Sequence, residues 1–415
     1  MILRASNIKE YLANTPQITF EVTERCNLAC VYCGYGKLYA NKGKRLNRSL
    51  KVEQAIAFLD FIKDLWNDGY LTSTDRLLNI SFYGGEPLLN FELIQSVIEY
   101  VETHLSTYPL TFVYSMTTNA LLLPKYIDFL VLKNFKLLIS LDGDEIGSSL
   151  RRYKNGKPAF IDIKAAIDEV QSKYASYFKN NVEFNSVLSK KTSVKEIINY
   201  IQKQYDKIPS ISEINTDGID PQLKEEFDEI FADKWRSVME MDRDIESDKN
   251  FLNNPHFERI ARYILGHSPF VYQNYNELLY NSQKERKNIP TGTCLPFTKR
   301  VFITTAGNIM PCEKIGYNYA VGKIFNKTVL LDFEKISNKY NGYYELATKQ
   351  CTHCMERNSC LSCIFYSGIL DNPGESKCKY FVTPENSKAT LLEVYDFLSR
   401  HPKAYNYIMT KYEIY

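Results

Sequence analysis

Cys26-Asn-Leu-Ala-Cys30-Val-Tyr-Cys33 follows the segment Gln17-Ile-Thr-Phe-Glu-Val-Thr23, whose alternating apolar residues predict a half-buried β-strand. Three thiolates at this spacing can hold three irons of a cubane [4Fe–4S] cluster and leave the fourth iron without a protein ligand, whereas most cysteine-ligated clusters use four cysteines. Zinc sites usually combine Cys-x2-Cys pairs with four protein ligands, so the wider gap between Cys26 and Cys30 fits zinc poorly. The stretch therefore predicts a cluster with one iron open to a small molecule, at the end of a strand.

The composition narrows the class of protein. The chain has 415 residues, a net charge of +2 and ten cysteines. Its length suffices for two or three domains, and a net charge near zero gives no electrostatic case for nucleic acid. The sequence has neither a signal-peptide pattern nor an apolar span of membrane length, so we expect a cytoplasmic protein that binds no membrane. Ten cysteines in that compartment favour metal or redox chemistry over disulfides.

Strand-like and helix-like segments alternate from residue 17 to about residue 217. This alternation predicts a parallel sheet with helices outside it, that is, an α/β fold. Six such units suggest a partial TIM-like barrel, in which functional residues gather at the C-terminal ends of the strands. The predicted strands are 17–23, 77–83, 110–117, 135–141, 181–188 and 211–215. The predicted helices include 51–67, 91–105, 160–174 and 193–205.

Three further predicted strands end in polar or glycine-rich segments. The second ends in Ser81-Phe-Tyr-Gly-Gly-Glu-Pro87, where glycines allow a ligand to approach closely and Glu86 can pair with an ammonium group. The third ends in Met116-Thr-Thr-Asn-Ala120, in which Asn119 is either a polar contact in a pocket or the cap of a turn. The fourth ends in Ile139-Ser-Leu-Asp-Gly143, whose last two residues are also typical of a simple turn. The glycine-rich segment lies one βα unit after the cysteines, which favours a functional role.

Seven more cysteines form a second array near the C-terminus. A zinc ribbon on Cys351, Cys354, Cys360 and Cys363 has legitimate spacing for a four-thiolate site. Auxiliary iron–sulfur clusters are the other interpretation of the array. Its members are Cys294, Cys312, Cys351, Cys354, Cys360, Cys363 and Cys378.

The two cysteine arrays together resemble radical S-adenosylmethionine (SAM) enzymes that carry a SPASM domain, a C-terminal domain for auxiliary clusters. The resemblance extends over nearly the whole chain. It implies a partial (β/α)6 TIM-like barrel followed by a small cysteine-rich SPASM domain. It also implies that Cys26, Cys30 and Cys33 hold a [4Fe–4S] cluster whose open iron binds SAM. Reductive cleavage of SAM would then give a 5′-deoxyadenosyl radical that abstracts hydrogen from a substrate.

The same resemblance assigns the SAM pocket. Glu86 would accept a hydrogen bond from the SAM amino group, and Ser140 would contact the SAM carboxylate. Arg151 matches the arginine that pairs with that carboxylate, but Gly147–Ser148 replace the usual His-Asp before it, so Arg152 stays an alternative. Ala120 replaces a glycine that related proteins usually have. The complete set of expected SAM contacts is Tyr32, Gly84, Gly85, Glu86, Asn119, Ser140 and Arg151.

Two auxiliary [4Fe–4S] clusters follow from the resemblance. Two residues separate Cys360 from Cys363 where the usual pattern has three. Auxiliary cluster I would have only three cysteine ligands, so its fourth iron is open or takes a carboxylate or a substrate atom. The residues carried over are Cys294, Cys312 and Cys363 for auxiliary cluster I and Cys351, Cys354, Cys360 and Cys378 for auxiliary cluster II.

On this basis the chain divides into five predicted segments. They are an N-terminal extension (1–16), the radical SAM partial barrel (17–220), a helical bridge (221–285), the SPASM domain (286–382) and a helical tail (383–415).

The resemblance implies a peptide or protein substrate. Our leading interpretation is a maturase that installs a thioether or carbon-linked cross-link in a ribosomally made precursor peptide. Its expected partners are the precursor and an electron donor such as flavodoxin or ferredoxin. Cys26 lies too near the start of the chain for a preceding winged-helix leader-binding domain. Leader recognition would therefore use a separate leader-binding protein, the bridge or the barrel face.

Three other functions stay open. The first is an anaerobic sulfatase maturase that forms formylglycine, although such enzymes carry an aspartate base where this chain has Glu313. Glu313 is thus a candidate catalytic base, and equally a surface carboxylate or a cluster ligand. The second is a non-catalytic metal-binding scaffold that presents a peptide. The third is a small-molecule dehydrogenase of the same family.

Overall fold

The computed structural model describes most of the chain. The residues that it describes are 3–40, 45–73, 75–216, 218–234, 236–237, 255–268, 294–357, 360, 362–371 and 377–411.

Six parallel strands form the core of the fold. They lie in one sheet in the order β1-β2-β3-β4-β5-β6, with helices between successive strands. This arrangement confirms the predicted α/β barrel-like sheet, and each predicted strand is found within two residues at either end. The six strands are β1 (Gln17–Thr23), β2 (Arg76–Gly84), β3 (Leu110–Thr118), β4 (Lys136–Ser140), β5 (Val182–Leu188) and β6 (Ser210–Glu213).

The helices of this region include the four predicted ones, with bounds that differ by one residue at most. Ser193 and Glu196 form a capping box at the start of α7, which explains why that helix begins there. Helices α1, α4 and α6 are not among the helices predicted from the sequence. The helices are α1 (Ala5–Ala13), α2 (Val52–Asn67), α3 (Phe91–His104), α4 (Leu123–Leu132), α5 (Phe160–Lys173), α6 (Ala175–Asn181), α7 (Val194–Tyr205) and α8 (Lys224–Ile230).

The first strand is more buried than its sequence predicts. Every residue of β1 after Gln17 is buried, including Glu21, instead of every second one. A parallel strand covered by chain on both faces has this burial pattern. The alternation of apolar and polar residues in β1 therefore does not mark a solvent-exposed face.

Four short strands extend the sheet beyond β1. β7 (Val301–Ile303) pairs parallel with β1, and β8 (Asn308–Met310), β9 (Gly322–Phe325) and β10 (Thr328–Leu331) continue antiparallel. The sequence interpretation placed these residues in the cysteine-rich segment 286–382 and predicted no strands there. Short strands of three or four residues carry too little periodicity to be recognised.

A buried carboxylate joins this extension to the barrel strands. Glu21 Oε2 accepts hydrogen bonds from the backbone N–H of Thr305, at 2.9 Å, and from its hydroxyl, at 3.3 Å. Glu21 Oε1 forms an ion pair with Arg45. A buried charge is tolerated only when it is paired and hydrogen-bonded, so Glu21 favours this docking of the turn between β7 and β8.

The chain forms two compact units. The first consists of residues 6–237 and 296–332, and the second of residues 1–5, 238–295 and 333–415. The five segments predicted above stay predictions, and residues 296–332 pack with the barrel strands. No helix within the described ranges is long and apolar enough to cross a bilayer.

The described helices of the second unit form two apolar clusters. Helices α9, α11 and α12 share an apolar core that includes Phe257, Phe397 and Ile408. Helix α10 ends at Cys351, and its last turns pack against Ile364. The predicted bridge contains α8 and α9, the predicted tail contains α11 and α12, and bridge residues 235, 238–254 and 269–285 lie outside the described residues. The helices are α9 (Pro255–His267), α10 (Phe333–Cys351), α11 (Pro384–Arg400) and α12 (Pro402–Lys411).

Gly85 has no room for a side chain. A Cβ atom at this position would lie 2.1 Å from the carbonyl oxygen of Arg25 and 2.5 Å from its carbonyl carbon. We expect Gly85→Ala to lower the free energy of unfolding by about 1–3 kcal/mol, because backbone atoms must shift to admit the methyl group. Urea unfolding followed by circular dichroism measures the change.

Gly342→Ala is the matched control. Gly342 lies exposed within α10, and a Cβ atom there would meet nothing within 4 Å. Alanine in a helix interior is favoured over glycine by about 0.5–1 kcal/mol, so this variant should be slightly more stable. A Gly85→Ala variant as stable as the parent chain would show that the backbone yields at no cost.

Candidate functional site

The cysteine loop begins at the C-terminal end of β1. The backbone N–H of Ala29 donates to the carbonyl of Arg152 at 2.6 Å, and that of Val31 donates to the carbonyl of Leu150 at 3.0 Å. Both chain neighbours of Cys30 are therefore fixed to the segment that follows β4. The loop's position is determined by main-chain hydrogen bonds, which a sequence pattern does not reveal.

The three thiols of the loop lie close enough to influence one another. Burial raises the pKa of Cys26 to about 12 and that of Cys30 to about 11, and the charge of Cys33 adds to both shifts. Cys26 Sγ accepts hydrogen bonds from the N–H of Leu28, at 3.4 Å, and from Asn119 Nδ2, at 3.7 Å. Bound metal deprotonates thiols outright. The loop thus has the thiols and the N–H donors that suit an iron–sulfur cluster.

The ligand set of the cluster stays a prediction. In the described part of the chain, no three His, Cys, Asp or Glu side chains converge as ligands of one metal ion. Cys26, Cys30 and Cys33 remain the predicted ligands of a [4Fe–4S] cluster, in which each thiolate binds a different iron.

Glu86 is a fully buried carboxylate after the glycines of β2. Its Oε1 accepts from the Thr118 hydroxyl at 2.9 Å and from the N–H of Leu88 at 3.2 Å, and its Oε2 accepts from the N–H of Asn119 at 2.8 Å. Burial raises the pKa of Glu86 to about 7 against these hydrogen bonds. No cation pairs with it among the described residues. An incoming ammonium group is the partner that such a carboxylate favours.

Asn119 has the second of the two roles considered for it, the cap of a turn, and its contact with SAM stays a prediction. Its Oδ1 accepts from the N–H of Leu121 at 3.2 Å, which is the turn cap, and its Nδ2 donates to Asn27 Oδ1 at 2.7 Å. The second bond joins the end of β3 to the cysteine loop. Ala120, which replaces a glycine, has a positive φ of 71°. Asn27 was not identified from the sequence, where it is only a polar residue between cysteines.

Asp142, whose sequence context is also typical of a simple turn, forms a buried network. Its Oδ1 accepts from Arg151 Nη2 at 2.8 Å and from the N–H of Val187 at 2.8 Å, and its Oδ2 accepts from the Tyr32 hydroxyl. The side chains of Asp142 and Arg151 are 0% and 6% exposed. The network links the cysteine loop, β4 and β5. A carboxylate directly after a buried strand was the signal that could have identified it.

The structure distinguishes between the two candidate arginines. Arg151 is buried in the site, whereas Arg152 donates from Nε to the carbonyl of Ser149. The Nε of Arg151 is buried and has no hydrogen-bond partner among the described residues. This free donor fits a ligand carboxylate, as predicted for Arg151. Ser140 ends β4 and is half-buried, and its contact with a ligand stays a prediction.

Glu313 lies beside Cys312 and carries an ion pair. Its Oε1 accepts from Arg300 Nη1 at 2.6 Å, and Cys312 Sγ lies 3.5 Å from its Oε2. The charge of Glu313 also contributes, after burial, to a raised pKa of Tyr83, which precedes the glycines of β2. Glu313 therefore lies in the same unit as the cysteine loop, where its predicted role as a base stays a prediction.

The cysteines predicted for auxiliary cluster II lie together. Cys351, Cys354, Cys360 and Cys378 line one small pocket in the second unit, and Cys363 is not among its lining residues. Burial raises the pKa of Cys351 to about 12, and the charges of the other three thiols add to this shift. This grouping differs from the zinc-ribbon set, which needs Cys363 in place of Cys378.

Cys363 has different neighbours. Its charge and that of Cys294 raise the pKa of Tyr344, after burial, and both lie in the second unit. Cys312 belongs to the first unit. Burial raises the pKa of Cys312 to about 12. The set Cys294, Cys312 and Cys363 stays a prediction.

We expect Asp142→Asn to destabilise the protein by about 3–5 kcal/mol, because it leaves the buried Arg151 charge without its partner. The control is Asp128→Asn, which removes an exposed ion pair with Lys173 and should change stability very little. Urea unfolding of the metal-free protein measures the free energy of unfolding of both variants. Equal stabilities of the two variants would show that Arg151 is not held by Asp142.

The sequence and the fold are similar to those of known proteins. Residues 20–203 match the sequence profile described as the Radical SAM superfamily. An uncharacterised protein of Methanocaldococcus jannaschii is 37% identical over 146 residues, which cover 35% of this chain and 45% of that protein. The radical SAM cyclopropyl synthase TigE of Paramaledivibacter caminithermalis is 28% identical over 182 residues, which cover 42% of this chain and 36% of that protein. The chain thus spans less than half the length of either relative.

One solved structure shows the same fold over nearly the whole chain. It is native anSMEcpe with bound AdoMet and Kp18Cys peptide, with a TM-score of 0.58, 18% identity and coverage of 94% of this chain and 98% of that one. This chain therefore shares its fold, a parallel sheet of the TIM-like type, with that protein, and residues 20–203 form a radical SAM domain.

Proposed function

We propose that this protein is a radical SAM maturase that makes an oxidative cross-link, a thioether or a carbon–carbon bond, in a ribosomally made precursor peptide. The observation that carries the proposal is the second cysteine pocket. Cys351, Cys354, Cys360 and Cys378 line one pocket in a unit other than that of the cysteine loop, which supports a further cluster there. We assign this region as a SPASM domain.

Different residues of the first unit would bind the cluster, the amino group of SAM and its carboxylate. Cys26, Cys30 and Cys33 would hold the [4Fe–4S] cluster, Glu86 the amino group of SAM, and Arg151 its carboxylate. When bound, SAM and the reduced cluster supply a 5′-deoxyadenosyl radical that removes hydrogen from a substrate. Tyr32 and Asp142 keep Arg151 in position, and their burial excludes water from that side of the site.

The C-terminal cysteines would allow the oxidation that a cross-link requires. Hydrogen abstraction leaves a substrate radical, and closing a cross-link requires the loss of one more electron. Cys351, Cys354, Cys360 and Cys378 would hold auxiliary cluster II as an electron acceptor. Cys294, Cys312 and Cys363 would hold auxiliary cluster I, where a fourth position suits a substrate thiolate. Flavodoxin or ferredoxin would supply the reducing electron.

A peptide substrate is supported by two comparisons. One relative is a cyclopropyl synthase, and a protein of the same fold was solved with a bound peptide. The second candidate, a sulfatase maturase, is supported by the location of Glu313 beside Cys312. However, Glu313 Oε1 is already occupied by the ion pair with Arg300, at 2.6 Å, which leaves fewer of its lone pairs for a substrate proton. We therefore place the cross-linking maturase first.

The first test uses a precursor peptide encoded beside the gene of this chain. Anaerobic incubation with SAM and a reductant should shift the peptide mass by the loss of two hydrogens. Reconstituted protein should contain about twelve irons, four for each cluster. Cys354→Ser should lose about four of them and the cross-linked product but keep SAM cleavage.

Three results would contradict this proposal. They are unchanged mass of every encoded precursor despite SAM cleavage, zinc in place of iron at the C-terminal cysteines, and formylglycine formation on a sulfatase-motif peptide.

The second test concerns Glu86. Glu86→Gln should weaken SAM binding roughly 10–100-fold, because a charge-assisted hydrogen bond to the ammonium group is lost. With a pKa of about 7, Glu86 is half ionised at pH 7 and almost fully ionised only at about pH 8 and above. The parent chain should therefore bind SAM with constant affinity above about pH 8, lose about twofold by pH 7 and lose up to about tenfold by pH 6.

Anaerobic calorimetry on reconstituted protein measures this difference. The variant should lose the pH dependence, since its amide does not titrate. Glu99→Gln on the exposed face of α3 is the control and should behave like the parent chain. A Glu86→Gln variant that keeps the parent affinity at pH 8 would place the ammonium group elsewhere.

A further inference from the structure

The two edge strands of the ten-stranded sheet, β6 and β10, differ in whether other groups bond to their outer backbone atoms. At the β6 end, Lys234 Nζ donates to the carbonyl of Ile211 at 2.7 Å, and the N–H of Lys234 donates to Glu213 Oε1 at 2.7 Å. At the other end, the sheet order stops at β10, and no described strand pairs with its outer side. Exposed edges are usually shortened or charged because their free backbone groups pair with other chains.

The outer side of β10 offers backbone groups in a defined register. A two-residue turn, Asn326-Lys327, joins β9 to β10, and Phe325 pairs with Thr328. In a two-residue hairpin this closing pair is hydrogen-bonded, so the N–H and C=O groups of Val329 and Leu331 point away from β9. The strand Thr328-Val-Leu-Leu331 carries no charge that would repel an added strand.

A groove runs between β10 and the outer face of α2. Its apolar part is formed by Ile56, Ala57 and Val329. Two exposed carboxylates of α2, Glu53 and Asp64, line the same groove, and neither has an ion-pair partner among the described residues. Asp60, which is paired with Lys63, and Lys327 of the hairpin turn complete the charged lining, so carboxylates outnumber ammonium groups there. The groove therefore combines an apolar floor with an excess of negative charge, next to a strand edge with which no described strand pairs.

We propose that the β10 edge and this groove dock an extended, positively charged segment of the peptide substrate. The segment would add one strand to β10 through Val329 and Leu331. Its alternate side chains would lie in the groove, with basic groups near Glu53 and Asp64. Strand addition of this kind takes its affinity from main-chain hydrogen bonds and its specificity from alternate side chains. The inference rests on the proposed function in that it takes the substrate to be a peptide.

The test uses a fluorescein-labelled peptide of alternating Val and Lys, eight residues long, and the full chain without SAM or reductant. Val329→Pro removes an outward N–H but leaves the pairing with β9, because proline is tolerated at an edge where its nitrogen faces solvent. Fluorescence anisotropy should show binding at least about tenfold weaker than for Val329→Ala, which keeps the N–H. Equal binding by these two variants, or no binding by the parent chain, would overturn the proposal.

A second variant tests the charge and guards against misfolding of the first. Glu53→Gln with Asp64→Asn should weaken binding roughly three- to tenfold at low salt and much less at high salt. Glu99→Gln, on the exposed face of α3, should bind as the parent chain does. A peptide of alternating Val and Glu should bind far more weakly than the Val-Lys peptide. Equal binding of the two peptides would contradict the assigned charge of the ligand.

The docking proposal and the proposed catalytic function are tested by different measurements, so either can be contradicted without the other. Peptide binding is measured without SAM, so docking can be established even when no precursor loses hydrogen. Sedimentation velocity adds one further outcome. A parent chain that is a dimer, and that Val329→Pro converts to a monomer, would show that a second copy covers β10, which would overturn docking of a substrate segment there.

Discussion

The buried Asp142 carboxylate is the constraint on which the geometry of the site depends. It accepts hydrogen bonds from Arg151, Tyr32 and the N–H of Val187, and so joins β4, β5 and the cysteine loop. An isolated buried carboxylate is very costly, and it becomes tolerable only when its partners are in place. The cost of leaving Asp142 unpaired therefore favours the one arrangement in which Arg151 lies beside the thiols and keeps a free Nε.

Glu86 illustrates the opposite use of burial. Its oxygens accept three hydrogen bonds, yet no described cation faces it, and its pKa is raised to about 7. The protein thus keeps a carboxylate whose ionised form is destabilised until a cation arrives. Glu21, by contrast, is neutralised by Arg45 and holds the added strands beside β1. The paired carboxylate of Glu21 thus serves the structure, whereas the unpaired carboxylate of Glu86 is the one that we propose binds a ligand.

Distance along the chain says little about which cysteines act together. Cys378 is farther in sequence from Cys360 than Cys363 is, but it lies in the pocket with Cys351, Cys354 and Cys360. The reason is packing: the N–H of Cys378 donates to Gln350 Oε1 at 2.9 Å, next to the end of α10. Cys363 lies near Tyr344 instead. Spacing alone permits a zinc ribbon, and the fold around α10 favours a different set.

The sequence by itself determined the six parallel strands, the cysteine loop after β1 and the glycine-rich segment before Glu86. These features depend on local periodicity and on residue types that have few other uses, such as three cysteines within eight residues. Only the tertiary structure decided that Asp142 is the partner of Arg151, that Arg151 is the inward arginine, and that residues 301–331 continue the barrel sheet. Each of these depends on contacts between residues far apart in the chain or on strands of three or four residues, and neither leaves a periodic pattern in the sequence.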